Sequence, residues 1–213
     1  MDSNAKSEKW HRESIAASTE AALRALRDGS LLDGAYLAGG TGLALHFGHR
    51  LSEDLDFFVK DAFDEEALLQ RIQTVPGFSL VAKAPGTVHA NIQGAKVSFL
   101  GYAYPVLFPT SPFLGVHVAD PRDIACMKIG AIAGRGTKRD FVDLYIASRK
   151  FGLAELLRLF ASKYRQTGYS RVHIMKSLVY FNDAAKDPMP HMLVPLDWAK
   201  VNGFFVDQAA RLA

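Results

Sequence analysis

The feature that most constrains this chain is the stretch YLAGGTGLALHFGHRLSEDLDFF, residues 36–58. It ends with two aspartates, Asp54 and Asp56, inside the apolar run DLDFFV. A strand sends residues i and i+2 to one face, so the two carboxylates project together while Leu55, Phe57 and Val59 face the other way. Along that face they sit about 6–7 Å apart, repel one another and resist desolvation. Two readings follow: a solvated strand face with ordinary charges, or a pair that shares a divalent cation. Oxygen-only donors at this spacing suit Mg²⁺, which keeps waters and takes further ligands from substrate phosphates.

The residues before the aspartates predict a strand, GAYLAGG, that turns into a short helix, TGLALHF, ended by Gly48. Gly39 and Gly40 permit a tight turn and close approach of backbone N–H groups to an anion, and the helix start adds partial positive charge. Thr41 is then a candidate phosphate donor. The plainer reading is a simple turn with Thr41 as N-cap. His49 and Arg50 fall just before the acidic pair, and Arg50 either offers charge to a triphosphate or neutralises Glu53 or Asp54.

Around this block, helical spacing covers Trp10 to Arg27 after a polar start at residues 1–9. FDEEALLQRIQ reads as a helix with Asp64 near its N-cap. GFSLVAK, TVHANIQ and AKVSFLGY read as three strands joined by hairpins. GVHVA is one last strand beyond a Pro-containing stretch. From Asp120 onward helical patterns dominate, ending in a Pro-rich loop and a short final helix. The expectation is an α+β fold, with an α/β core over residues 1–118 and a helical region over 119–213. The 213 residues give ample length for a core.

Composition narrows the chemistry by exclusion. A net charge of +3 without a block of Lys/Arg is too weak to argue for nucleic acid. One cysteine excludes an intrachain disulfide or a cysteine-based zinc cluster, and the seven histidines fall into no ligand spacing. No run reaches the roughly 18 apolar residues of a membrane span, and no signal-peptide pattern opens the chain. A reducing compartment and no membrane partner are expected.

A second block, DPRDIACMKIGAIAGRGTKRDFVDLY, spans residues 120–145. Asp120 at the N-cap, Pro121 at the first helical position and Asp123 in the first turn specify a helix start. At 100° per residue Lys128 falls between Ile124 and Ile132, an ammonium on an apolar side that requires a partner. That partner is either a phosphate in a cleft or a carboxylate in a buried pair. Thr137 and Asp140 fit a capping box, and Asp143 lies beside Asp140 on that helix.

These two blocks, in this order, resemble the nucleotidyltransferase superfamily and, within it, the AbiEii/AbiGii toxins of bacterial abortive-infection and toxin–antitoxin systems. The resemblance implies a nucleotidyltransferase-like mixed sheet with flanking helices. It implies Asp54 and Asp56 as catalytic Mg²⁺ ligands, Gly39, Gly40, Thr41, Arg50 and Lys128 at the nucleotide, and Lys138, Asp140 and Asp143 bordering the cleft. A nucleoside triphosphate, an RNA, protein or nucleotide acceptor, a cognate antitoxin and a cytoplasmic setting are implied with it. One departure stands out. The superfamily carries a third carboxylate on a neighbouring strand; the best position here holds Ser98, and residues 77–119 contain no acid. A catalytically incomplete nucleotide- or partner-binding module of the same fold is therefore the alternative.

Overall fold

In the computed structural model, which describes residues 10–60 and 62–212, α1 (Ala17–Asp28) leads into β1 (Ala35–Leu37), α2 (Gly39–Phe47) and β2 (Leu55–Val59). β2 returns antiparallel beside β1, with Leu37 opposite Phe57. α3 (Glu65–Ile72) follows, its start fixed by Asp64, whose carboxylate accepts from the N–H groups of Glu66 and Ala67. β3 (Ser79–Ala84), β4 (Thr87–Ile92) and β5 (Ala95–Gly101) form the expected hairpins. β5 then lies parallel to β2, setting Ser98 directly opposite Asp56. β6 (Ser111–Phe113) and β7 (Val116–Val118) complete a mixed sheet ordered β3-β4-β5-β2-β1-β7-β6.

Alternation decides which face of this sheet is dry. Phe57, Phe99, Val88, Val97 and Ile92 turn to one side and pack with Leu23 and Leu26 of α1. The Phe57 and Phe99 rings stack at 5.4 Å. Burying each such side chain contributes about 1.5–3 kcal/mol. Asp56 and Ser98 are left on the opposite face.

After Val118 the described chain holds helices and loops: α4 (Pro121–Gly134), α5 (Lys138–Phe151), α6 (Leu153–Lys163), α7 (Arg171–Ser177) and α8 (Trp198–Leu212). They share a second core around Phe141, Leu156 and Phe205. A smaller cluster of Tyr36, Ala38, Leu43, Ala119 and Ile124 joins β1 and α2 to α4. A side chain at Gly42 would meet Ile124 Cδ1 at 2.7 Å, so this glycine lets α4 lie close against α2. That contact carries Lys128 to the edge of the Asp56 strand.

Several expectations need correction. Residues 10–16 are not the start of a long helix. Arg12–Ser14 forms one 3-10 turn, Ile15 bridges to Ser52, and Trp10 packs between His46 and Phe113. Tertiary pairing overrides the local spacing. Thr41 is not an N-cap, because α2 already begins at Gly39. Asp54 lies just before β2 rather than within it. α7 stops at Ser177, and the final helix is longer than expected. β6 lies within the Pro-containing stretch, where no strand was expected. The polar residues 1–9, expected to be frayed, lie outside the described residues.

Candidate active site

The turn from β1 into α2 sets the floor of a polar cleft. Gly39 has φ +63°, and a Cβ there would sit 2.5 Å from Asp56 Oδ2. At Gly40 a Cβ would overlap the Arg50 guanidinium. The glycines thus serve close approach, but of Asp56 and Arg50 to the backbone. Thr41 is buried and spends its hydroxyl inside the protein, donating to the Asp54 carbonyl and hydrogen-bonded with Ser52 Oγ at 2.8 Å. Its role in this arrangement is to fix the backbone that carries Asp54.

Asp54 and Asp56 both line this cleft of about 140 Å³, with Gly40, Ser52, Lys128 and Arg135 among its walls. Asp54 is open, its side chain 43% exposed, with Arg139 Nη1 3.6 Å away. Asp56 is held above the usual carboxylate range. Burial is the main cause and the Asp54 charge adds to it; Lys128, a hydrogen bond from Ser98 and Arg135 only partly offset them. Such a carboxylate gains from a nearby cation. The donor set fits Mg²⁺: two carboxylates facing a polar cleft, with room for phosphate oxygens and water. Among the described residues no cluster of three His, Cys, Asp or Glu side chains offers a metal site built from protein alone.

Asp140 and Asp143 are in the opposite situation. Asp143 is fully buried and accepts from Arg50 Nε at 2.7 Å, Arg50 Nη2 at 2.9 Å and His49 Nε2 at 2.8 Å, while Lys128 Nζ lies 2.7 Å from Oδ2. Lys128 also reaches Asp140 at 2.9 Å, and Asp140 takes Arg135 Nε at 3.1 Å and the Thr137 hydroxyl at 2.6 Å. Burial alone would raise both carboxyl groups. The cations win, pulling Asp140 down to about 2 and Asp143 well below its ordinary value.

The expected site residues therefore divide. Gly40, Arg50, Asp54, Asp56, Lys128 and Asp140 line one cleft, with Gly39 at its edge. Arg50 does not neutralise Glu53 or Asp54 as anticipated; it forks onto Asp143, with which it is buried. Lys128 makes the buried pair and still forms part of the cleft wall. Lys138 is turned away: its Nζ donates to the carbonyls of Asp187 and Ala185 and lies 5.2 Å from the Trp198 ring. It holds the C-terminal loop. Thr137 caps α5 by accepting from the Asp140 N–H, but the Asp140 carboxylate takes the Thr137 hydroxyl rather than its backbone N–H, so only half of the capping box forms.

Two cations escaped the sequence reading. Arg135, 68% exposed, closes the cleft from the end of α4, and Arg139 reaches Asp54 from the first turn of α5. Both come from GRGTKRD, where Lys138 was the one cation singled out beside Thr137 and Asp140. Beside the polar cleft, and sharing Asp56, Lys128, Arg135 and Asp140 with it, opens a cavity of about 510 Å³ lined by Phe58, Leu100, Tyr102, Met127 and Tyr164. Its lining sets aromatic and apolar side chains beside the polar groups it shares with the cleft.

This sheet, with its carboxylates at the end of β2 against a Gly-Gly turn, is a nucleotidyltransferase fold. MenT4, a nucleotidyltransferase toxin of Mycobacterium tuberculosis, superposes with a TM-score of 0.56 at 16% identity, over 92% of this chain and 85% of that one. A candidate nucleotidyltransferase from H. pylori gives 0.55 at 18%, over 94% and 95%. The antibiotic-resistance factor ANT(2'')-Ia gives 0.52 at 14%, over 70% and 90%. By sequence, the model of the nucleotidyl transferase AbiEii toxin, type IV toxin–antitoxin system, matches residues 21–105 and 96–210, and the chain belongs to this family. An uncharacterised protein of Aquifex aeolicus (strain VF5) is 40% identical over 176 residues, covering 80% of this chain and 84% of its own.

Proposed function

We propose that this chain is a Mg²⁺-dependent nucleotidyltransferase acting on a nucleoside triphosphate. The observation that carries it is the pair Asp54 and Asp56, facing a polar cleft continuous with an aromatic cavity. In this reading Asp54 and Asp56 hold the ion, which when bound neutralises phosphate charge and stabilises charge developing in transfer. Arg135 and Arg139 bring mobile positive charge to the phosphates, and Lys128 adds its charge from the wall. Phe58, Tyr102 and Tyr164 flank the nucleoside. An acceptor hydroxyl attacks the α-phosphorus, the bond to the β-phosphate oxygen breaks, and pyrophosphate leaves. As a toxin of a type IV system the chain acts beside a cognate antitoxin, in the cytoplasm, and RNA is the acceptor to test first. Among the described residues no helix is long and apolar enough to cross a membrane.

The test mixes the protein with each labelled triphosphate, Mg²⁺ and total cell RNA, and follows label transfer. Binding is measured in parallel by calorimetry. The double variant Asp54→Asn, Asp56→Asn should keep its fold and lose Mg²⁺-dependent triphosphate binding; unchanged affinity would sink the assignment. A second reading, a binding module without catalysis, is favoured by Ser98 standing where a third carboxylate is expected. Tight triphosphate binding without pyrophosphate release would decide for it.

A further inference from the structure

Transfer joins two molecules, so a site that holds a triphosphate must also receive an acceptor. The aromatic cavity meets the polar cleft at Asp56, Lys128, Arg135 and Asp140. A further pocket of about 320 Å³ shares a different set with the cleft: Arg50, Ser52, Asp54 and Arg139. Asp56 therefore borders the aromatic end and Asp54 this one, and the three hollows form one trough across the acidic pair.

The walls of this second pocket come from three places. The register that sets Leu55 opposite Val97 brings Lys96 of β5 to the same end of the strand pair as Asp54. Arg139 enters from the first turn of α5 and is 59% exposed. The third wall is the C-terminal loop. The Leu51 N–H donates to the His191 carbonyl and the Leu193 N–H to the His49 carbonyl, both at 2.9 Å. That antiparallel bridge, with the Lys138 contacts to the Ala185 and Asp187 carbonyls, fixes Pro190 and His191 beside the pocket. The Lys96 and His191 side chains are exposed, and among the described residues neither makes a hydrogen bond or ion pair. Glu53 completes the polar lining.

We propose that this pocket receives the acceptor, and that the acceptor is a ribonucleotide with a free 3′-hydroxyl, at the end of a single-stranded RNA or as a free nucleotide; this rests on the nucleotidyl-transfer reading above. Each group in the lining has a counterpart in such a molecule. Lys96 takes the phosphate next to the acceptor sugar, with Arg139 at the junction between that phosphate and the triphosphate. The His191 ring offers a face on which a base stacks. Glu53 accepts from the 2′-hydroxyl, as carboxylates do in other ribose sites. That leaves the 3′-hydroxyl at Asp54, where the pocket opens into the cleft. A serine or tyrosine of a protein acceptor brings no phosphate to Lys96. The modest net charge of +3 suits a pocket that grips one or two nucleotides rather than a long strand.

The experiment saturates the full chain with Mg²⁺ and an α,β-methylene nucleoside triphosphate, which fills the aromatic end and cannot transfer. A 5′-labelled single-stranded oligoribonucleotide is then titrated in by fluorescence anisotropy, with the matching deoxyribonucleotide strand and uridine monophosphate as competitors. Lys96→Gln should weaken RNA binding about tenfold and flatten the plot of log affinity against log salt by about 0.7. His191→Ala should also weaken it about tenfold, with the slope unchanged. Both variants should bind the triphosphate analogue within about twofold of wild type. The wild type should prefer the RNA strand to the DNA strand, and Glu53→Gln should remove that preference. Monophosphate that competes at the affinity of the RNA assigns the pocket to free nucleotides; competition only at far higher concentration assigns it to RNA ends. Analogue binding without ribonucleotide binding overturns the proposal and leaves the transfer reading standing. So does RNA binding that neither Lys96→Gln nor His191→Ala moves, or transfer of label from a cleavable triphosphate to protein alone. A chain that does not bind the analogue fails at the transfer reading itself, and the acceptor pocket falls with it.

Discussion

The two pairs of aspartates sit within one site and live in opposite electrostatic conditions. Asp140 and Asp143 are buried and saturated, held by Lys128, Arg50, Arg135 and His49, with their carboxyl groups pulled down. Asp54 and Asp56 face the cleft, Asp54 half-open with Arg139 3.6 Å away, and burial pushes Asp56 up against the pull of Lys128 and Arg135. Carboxyl groups whose environments drive them apart usually have different tasks. The saturated pair is a lock: Arg50 follows α2, Lys128 lies on α4 and Asp143 on α5, so their ion pairs tie the sheet to the helices behind it. The cleft-facing pair is where an added cation has most to gain.

The largest effect expected from breaking this contrast is at the lock. Asp143→Asn keeps shape but strips the charge that Arg50 and Lys128 share, leaving the buried Arg50 with a neutral amide oxygen and the Leu51 carbonyl in place of a carboxylate. Removing one member of a buried network typically costs about 3–5 kcal/mol. Urea unfolding should show a loss of that size; a loss under about 1 kcal/mol would mean that the network does not join the two regions. Arg135 sharpens the comparison, because it touches the locked Asp140 yet is mostly exposed. Arg135→Gln should cost about 1 kcal/mol of stability or less. It should weaken triphosphate binding by about 1.5–3 kcal/mol, the worth of a charge-assisted hydrogen bond. Calorimetry and unfolding on the same variant separate the two, and a variant that loses only stability removes Arg135 from the phosphate site.

The cleft-facing pair was legible in the sequence and the lock largely was not, for a physical reason. Strand alternation and a Gly-Gly turn are local, so Asp56, the helix after Gly40 and the outward face of Ser98 followed from spacing alone. That Ser98 would sit near Asp56 needed one further assumption, implied by the family resemblance, that this strand packs beside β2; the register bears it out and shows the pairing to be parallel. Arg50 and Asp143 lie 93 residues apart. Nothing near Arg50 announced that partner, and the nearer acids Glu53 and Asp54 seemed the natural choices. The opposite fates of Lys138 and Arg139, adjacent in α5, depend on which side of the helix the C-terminal loop covers. Residues 10–16 have helical spacing, but Ile15 and Ser14 are spent on pinning Ser52, a contact with no local signature.

The smallest effect concerns stability rather than chemistry, and its sign separates the two pairs most cleanly. For Asp140 and Asp143 the folded protein holds the carboxyl group below its unfolded value of 3.8. Their stabilisation is complete above about pH 4 and is lost as pH falls toward about 2, where Asp140 takes up its proton. Asp56 runs the other way. Its folded value lies above 3.8, so the folded state holds more protons than the unfolded one just above that pH, and stability declines as pH rises through the folded value. At neutral pH without metal, an ionised Asp56 therefore destabilises the fold. Asp56→Asn removes the buried charge and keeps the shape, so metal-free protein should gain about 0.5–2 kcal/mol, the usual scale of a stabilising substitution. Thermal unfolding at pH 7 should show the gain, and it should shrink toward pH 4 as the wild-type carboxyl group protonates. Added Mg²⁺ should stabilise the wild type and leave the variant unmoved, narrowing the gap from the other side. A variant less stable than wild type at pH 7 without metal would place Asp56 with the locked pair, its charge already satisfied by Lys128.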